Sequence, residues 1–238
     1  TGVVIVGPQG QELPQGEPGE IWVSGASVAS GYWRNPAETR ASFGHRLPGR
    51  EGTFLKTGDI GLLDQGELFI AGRSKEMMIL GGRNLFPQDI EPDVEALSPA
   101  FRRNGAAVFT VEEGRDTRLV VVQEVLDRRL LETEGLVERL RAMLAEQHEI
   151  ADLAALLLVR TGDLPRTTSG KIQRFRCARI LADHGFRPIW SWQAGAAAQS
   201  DFAPPHTATE IELAALWREL LGGGDISIRD NFLELAGN

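Results

Sequence analysis

The chain has 238 residues, of which 42% are hydrophobic and 24% charged, a balance typical of globular domains rather than disordered segments. Its 25 lysines and arginines against 33 acidic residues give a formal charge of −8, which argues against nucleic-acid binding because a phosphate footprint needs a basic surface. No run of 18 apolar residues predicts a membrane span, and the N-terminus is not a signal peptide.

The first part of the chain is predicted to be rich in β-structure. Short apolar runs separated by glycine and proline predict strands at 3–6, 20–24, 54–57, 60–63 and 67–70, the last two joined by a hairpin turn at 64–66. Closely spaced strands with tight turns are typical of a small sheet or a distorted barrel. We therefore expect a small β-barrel-like subdomain over residues 1–73.

From residue 74 the pattern changes to alternating strands and helices, which predicts an α+β subdomain over residues 74–190. The predicted strands are 77–80, 106–111, 118–122 and 156–159, and a closing helix is predicted over 172–181. A helix is expected to begin at Pro87, although Pro92 conflicts with a regular helix interior. A second, amphipathic helix has one apolar stripe, which consists of Leu136, Leu140, Met143 and Leu144.

The last part of the chain is predicted to contain a linker and a helix. Residues 191–206 are rich in alanine, proline and glutamine and indicate a linker. Thr207 and Glu210 form the pattern of a capping box, which predicts a helix start, and the glycines at 222–224 predict its end.

Two positions have side chains suited to binding chemistry. Lys171 lies in a hydroxyl-rich, glycine-hinged loop at 164–174, and its compact charge suits a phosphate or carboxylate oxygen. A solvated basic loop is the simpler interpretation. Asp59 follows a Thr-Gly turn between two predicted strands, where a carboxylate can accept two hydrogen bonds from a vicinal diol. The alternative for Asp59 is a side chain that only stabilises the turn.

Five runs occur in an order and spacing that resemble the later motifs of the adenylate-forming superfamily, which comprises acyl-CoA synthetases, peptide-synthetase adenylation domains and luciferases. The runs are 19–23 (GEIWV), 31–36 (GYWRNP), 56–59 (KTGD), 72–73 leading to 81–84 (GR, GGRN) and 164–174 (LPRTTSGKIQR). The resemblance implies that residues 1–73 end the large N-terminal portion of that fold and that 74–190 form its mobile C-terminal lid.

The resemblance also implies roles for five residues. Asp59 matches the family's ribose-binding aspartate, and Arg73 matches an arginine on the ribose side of the nucleotide. Lys75 lies at the family's hinge, and Gly82 at the tunnel through which a phosphopantetheine thiol enters. Lys171 matches the lysine that bridges the carboxylate and the α-phosphate during adenylation. For Arg73, Lys75 and Gly82 the residues alone also allow a surface ion pair, an exposed lysine and an ordinary turn glycine.

Within the superfamily, the runs at 83–91 (RNLFPQDIE) and 168–174 (TSGKIQR) resemble the fatty acyl-AMP ligases, although Leu85 and Phe86 replace the commoner His-Tyr pair. These ligases form acyl-AMP from a fatty acid and ATP and pass the acyl group to a carrier's phosphopantetheine thiol. The alternatives are an amino-acid or aryl adenylation domain of a peptide synthetase, and a non-catalytic module. Asp59, Arg73 and Lys171 argue against the last of these.

The run at 230–238 (DNFLELAGN) resembles the segment before the modified serine of carrier domains, so residues 207–238 are expected to begin a carrier domain whose serine follows Asn238. Both chain ends look cut, and we expect the fragment alone to be inactive. The implied cofactors are ATP, phosphopantetheine and Mg²⁺ with ligands outside the fragment. The implied partners are a fatty acid, a carrier protein in cis or trans and a multidomain synthase.

The sequence predicts neither a metal site nor a disulfide. The four histidines are scattered without metal-ligand spacing. The single cysteine, Cys177, cannot form an internal disulfide and suits a reducing cytoplasm, where we expect the protein to act. We interpret Cys177 as a small buried apolar residue on a helix.

Overall fold

The computed structural model describes residues 2–113, 116–195, 199–200, 203–220 and 226–228. The chain divides into two compact units on either side of the bond between Met77 and Met78. The predicted glycine stop at 222–224 and the carrier-like run at 230–238 lie outside the described residues. Among the helices that are described, none is long and apolar enough to cross a membrane.

The first unit is an open antiparallel sheet with strand order β1-β2-β3-β4. Its strands are β1 (Gly2–Val6), β2 (Gly19–Ser24), β3 (Leu55–Asp64) and β4 (Glu67–Arg73), and a short helix α1 (Pro36–Ser42) that was not predicted lies between β2 and β3. The barrel-like form is not confirmed, because β1 and β4 are the two edges of the described sheet and no closed barrel is found among the described residues; the small sheet that the strand pattern also allowed is observed.

Two predicted strands, 54–57 and 60–63, are continuous as β3. Gly58 has a φ of +73°, and the pairing register of β3 with β4 shifts between Ile60 and Gly61, so the strand continues through an irregularity. The predicted hairpin that follows is confirmed, because Gln65 and Gly66 both have positive φ and Asp64 pairs with Glu67.

The second unit is built on a five-stranded sheet with order β11-β10-β9-β8-β7 and a separate hairpin. The hairpin consists of β5 (Met78–Leu80) and β6 (Arg83–Leu85). The sheet strands are β7 (Phe101–Glu113), β8 (Asp116–Val125), β9 (Leu153–Arg160), β10 (Trp190–Gln193) and β11 (Gln199–Ser200). The helices are α2 (Pro87–Ala96), α3 (Leu136–His148), α4 (Arg174–Ala182) and α5 (Ala208–Leu220).

Helices cover both faces of this sheet, and alternate residues along each strand point to opposite faces. Val121 and Leu156 pack with α2 and α3 in one core, whereas Val120 and Leu157 pack with Cys177 of α4 in another. Strands β8 and β9 are parallel, and α3 is the crossover that a parallel pair requires. The loop that contains Lys171 connects the end of β9 to the start of α4.

Three predictions at element ends can be compared with the structure. Helix α2 begins at Pro87 as predicted and continues through the exposed Pro92. The predicted linker begins inside β10, which pairs with β9. The capping box before α5 is confirmed: the Glu210 amide donates to Thr207 Oγ1 (3.2 Å), and Glu210 Oε2 accepts from the Thr207 amide (3.0 Å). The amides of Thr207 and His206 lower the pKa of the Glu210 carboxyl.

Candidate functional site

In the first unit, the structure brings two of the predicted site residues together. Asp59 and Arg73 are paired across β3 and β4, and Arg73 Nε lies 2.8 Å from Asp59 Oδ1. The Asp59 side chain is 30% exposed and that of Arg73 62%, so the pair remains open to solvent. A carboxylate beside an exposed guanidinium can accept the hydroxyls of a diol while the cation faces an adjacent anionic group.

The turn before Asp59 is stabilised by Thr57. Its Oγ1 accepts from the Asp59 amide (3.0 Å) and donates to the Ile21 carbonyl (2.7 Å), while Arg73 Nη1 donates to the Thr57 carbonyl (3.1 Å). The Thr57 hydroxyl therefore stabilises this turn, which is the role that the alternative interpretation gave to the Asp59 carboxylate. The Asp59 side chain is held at the strand by its ion pair and is available to a ligand.

Two further predicted residues lie in exposed turns. Lys75 is in the 3₁₀ turn Ser74–Glu76 between β4 and β5. Gly82 forms the two-residue turn of the β5–β6 hairpin with Gly81, and their φ values of +56° and +77° fit a type I′ turn. A Cβ on Gly82 would meet nothing within 4 Å, so backbone conformation alone accounts for the glycine among the described residues.

The loop that contains Lys171 is a closed hairpin rather than an open arm. The Thr167 amide donates to the Lys171 carbonyl (2.8 Å), and the Lys171 amide donates to Thr167 Oγ1 (3.1 Å). Arg166 and Ile172 form a β-bridge, and Gly170 turns the chain with a φ of +84°. The backbone of Lys171 is therefore fixed, whereas its exposed ammonium group has no hydrogen bond or ion pair to any residue that the structure describes.

A buried carboxylate from β8 holds the start of this loop. Glu124 is fully buried, and its Oε1 accepts from the amides of Gly162 (2.8 Å) and Leu164 (3.2 Å). Its Oε2 accepts from Arg102 Nη1 (2.8 Å) and Arg166 Nη2 (2.9 Å). Four donors, two of them cationic, satisfy the charge, which is the condition under which a buried carboxylate is tolerated.

A second carboxylate, from α2, holds the end of the loop. Glu91 accepts from Arg174 through two parallel bonds, Nε to Oε1 at 2.7 Å and Nη2 to Oε2 at 2.6 Å. Its Oε1 also accepts from the amide of Val108 (3.1 Å). Since Arg174 is the first residue of α4, this bidentate pair connects the C-terminal end of the Lys171 loop to the opposite side of the sheet.

Sequence reasoning missed both carboxylates, although each gave a signal. Glu124 and Gln123 follow the apolar run 119–122 in the buried part of β8, and a charge there requires a partner. Glu91 lies within a run identified only for its resemblance to a family motif. Arg166 and Arg174, which the sequence analysis did not single out, are the partners of these two acids.

The remaining candidates have structural roles or none. Cys177 is buried, and burial is the main cause that raises the pKa of its thiol to about 11, so it is an inert apolar residue as expected. Within the described ranges, no group of three or more His, Cys, Asp or Glu side chains could hold a metal ion.

Comparisons with known proteins agree with the motif resemblance. No family model matches the chain. A medium-chain-fatty-acid–[acyl-carrier-protein] ligase, JamA of Moorena producens, is 42% identical over 162 residues, covering 67% of this chain and 27% of that protein. A 4-hydroxyphenylalkanoate adenylyltransferase of Mycobacterium tuberculosis is 37% identical over 198 residues, covering 77% of this chain and 31% of that protein.

A solved structure extends the agreement to the fold. The McyG A-PCP structure, complexed with phenylalanyl-adenylate, has a TM-score of 0.65 and 26% identity and covers 76% of this chain and 32% of that one. The chain thus spans about a third or less of the length of these relatives. It belongs to the adenylate-forming ligases, the superfamily that includes the fatty acyl-AMP ligases, and corresponds to the C-terminal part of its members.

Proposed function

We propose that the chain is the catalytic lid and adjoining nucleotide-binding segment of an ATP-dependent fatty acyl-AMP ligase. The observation that carries the proposal is the Lys171 hairpin, in which every polar backbone group of the lysine is bonded while its ammonium group is left without a partner among the described residues. A fixed backbone with a free cation is the arrangement that electrostatic stabilisation of a transition state requires.

In the adenylation step, a carboxylate oxygen of the acid forms a bond to the α-phosphorus of ATP, and the bond from that phosphorus to the β-bridging oxygen breaks. Pyrophosphate leaves with the electron pair. Negative charge accumulates on the α-phosphoryl oxygens, and Lys171 stabilises it while aligning the attacking carboxylate. No proton needs to move to or from the protein in this step.

Asp59 and Arg73 would bind the nucleotide. The Asp59 carboxylate would accept the ribose hydroxyls, and Arg73, anchored to Thr57 and Asp59, would face the ribose side of the nucleotide. In this proposal, Mg²⁺ neutralises the triphosphate and is held by ligands outside residues 1–238. Magnesium bound there would offset phosphate charge.

The acyl acceptor in this proposal is a carrier-bound phosphopantetheine thiol. JamA, a fatty-acid–[acyl-carrier-protein] ligase by name, supports a carrier as the acceptor, although a 38% identical relative of Mycobacterium leprae is named a putative fatty-acid–CoA ligase. The proposed organisation is 1–73 for the end of the large portion, 74–190 for the lid, 191–206 for a linker and 207–238 for the start of a carrier domain. Gly82 would lie beside the entering thiol, where the open space around its α-carbon leaves room for a close approach.

An amino-acid or aryl adenylation domain is the second candidate, because the McyG structure contains phenylalanyl-adenylate and another relative is named for a 4-hydroxyphenylalkanoate. ATP–pyrophosphate exchange by the full-length protein separates the candidates. We expect exchange with medium- or long-chain fatty acids, followed by loading of a phosphopantetheinylated carrier and little transfer to free CoA. Exchange with an amino acid and no fatty acid would contradict the fatty-acid proposal, and efficient acyl-CoA formation would contradict the choice of acceptor.

A further inference from the structure

Several candidate features carry no argument. The cavity between α5 and residues 226–228 is lined mostly by apolar side chains, but nothing in the structure shows what covers it. The exposed aromatic rings of Tyr32 and Trp33, and the exposed Phe69 and Ile70 on the edge strand β4, likewise have no occupant that the structure identifies. The buried ionic network under the Lys171 loop is different, because one of its contacts reaches Gly170, the residue immediately before Lys171.

We infer that Glu124 is a positioning residue for Lys171 and acts on it through Arg166. The path has two hydrogen bonds. Arg166 Nη2 donates to Glu124 Oε2 (2.9 Å), and Arg166 Nη1 donates to the carbonyl of Gly170 (3.0 Å), the residue immediately before Lys171. The same carboxylate holds the beginning of the loop through the Gly162 and Leu164 amides. The buried Glu124 carboxylate therefore holds the loop at two points: directly at Gly162 and Leu164, and through Arg166 at Gly170.

The chemistry of the network favours positioning over general stability. A rigid guanidinium holds two acceptors at fixed angles, which a flexible ammonium cannot do. Arg166 Nη2 also donates to the Asn104 carbonyl (2.8 Å), so its plane is set by three acceptors on three different segments. Its side chain is 21% exposed, and a donor held this deeply has little freedom to follow a displaced loop.

Arg102 provides a matched control. It donates to the same oxygen, Glu124 Oε2, at 2.8 Å, and its side chain has no other hydrogen bond or ion pair within the described part of the chain. Arg102→Gln and Arg166→Gln thus each remove one cation from the same carboxylate, but only Arg166→Gln breaks the connection to Gly170. A difference between the two variants reports on the loop and not on the charge of Glu124.

The test measures both half-reactions of the full-length enzyme and rests on the proposed function. Arg166→Gln is expected to slow acyl-adenylate formation about 10- to 100-fold, the effect of misplacing a catalytic group by about 1 Å, with the KM for ATP little changed. Transfer of the acyl group from preformed adenylate to the carrier thiol should change less than about threefold. Arg102→Gln should leave both steps near the wild-type rates, and Arg166→Lys should restore part of the loss.

A double-mutant cycle with Lys171→Ala separates the inference from the proposed function. If Arg166 acts through Lys171, adding Arg166→Gln to Lys171→Ala slows adenylation no further. Multiplicative losses, or equal losses in both half-reactions, would overturn the positioning role. Unchanged adenylation in Lys171→Ala alone would instead overturn the proposed function. Glu124→Gln repeats the test at the buried carboxylate. If thermal unfolding shows that Arg166→Gln does not fold, Arg166→Lys replaces it, with a smaller loss of adenylation expected and the same absence of further loss in the Lys171→Ala background.

Discussion

Arg174→Ala should loosen α4 and expose the chain's one cysteine to labelling. Arg174 and Glu91 are joined by two bonds of 2.7 and 2.6 Å, and their side chains are only 18% and 11% exposed. The variant leaves a mostly buried carboxylate without its cation. Cys177, three residues along the same helix, is fully buried and reacts only when α4 opens.

The expected magnitude follows from the geometry of the pair. Removing one partner of a fully buried ion pair costs about 3 to 5 kcal/mol. Here the partial exposure of Arg174 admits water, and the Val108 amide still donates to Glu91 at 3.1 Å, which reduces the loss. A cost of about 2 to 3 kcal/mol is therefore expected, and it should raise the open fraction about 30- to 150-fold.

The assay is the rate at which a thiol reagent modifies Cys177 under native conditions at constant pH. Arg174→Ala should react about 30- to 150-fold faster than wild type. Arg176→Ala is the matched control, since Arg176 is an exposed residue of the same helix bonded only to Gln173 Oε1 among the contacts that the structure describes. Equal rates in the two variants would refute the claim that the pair with Glu91 holds α4.

Two shorter predictions concern pH and motion. Burial raises the pKa of the Cys177 thiol from 9.0 to about 11, so the unfolded chain loses this proton at lower pH than the folded protein does. The free energy of unfolding should therefore be unaffected below pH 9 and fall by about 2 kcal/mol between pH 9 and 11. Denaturant unfolding of wild type and Cys177→Ala across this range checks it, because the variant should lose that part of the decline. Lys75→Pro, which restricts the 3₁₀ turn and the preceding Ser74, should slow acyl transfer to the carrier more than adenylation, and equal loss in both would show a merely structural turn.

Local patterns predicted much of the second unit. The apolar runs of β8 and β9 and the apolar stripe of α3 predict which residues are buried, and these patterns lie within single elements. The helix start at Pro87 and the capping box at Thr207 and Glu210 are equally local. They could be predicted because the atoms that form them are at most a few residues apart.

Local patterns could not predict that the first sheet is open or that the buried acids pair with distant arginines. Whether a sheet closes depends on its two edge strands, here β1 and β4, which are far apart in sequence. Glu124 is 22 and 42 residues from the arginines that neutralise it, and Glu91 is 83 residues from Arg174. A buried acid signals that a partner exists, but only the pairing of β8 with β9 brings Glu124 to the Lys171 loop.

The pairing of the acids also accounts for the freedom of Lys171. An unpaired carboxylate under the loop would attract the lysine, and the ion pair would withdraw the ammonium group from a substrate. Each nearby acid of the network is instead bound to an arginine, whose guanidinium stays charged and whose fixed donors match a carboxylate. The arginines at 166 and 174 thus hold the hairpin in place and, under the proposed function, leave its one lysine as the cation available to an incoming anion.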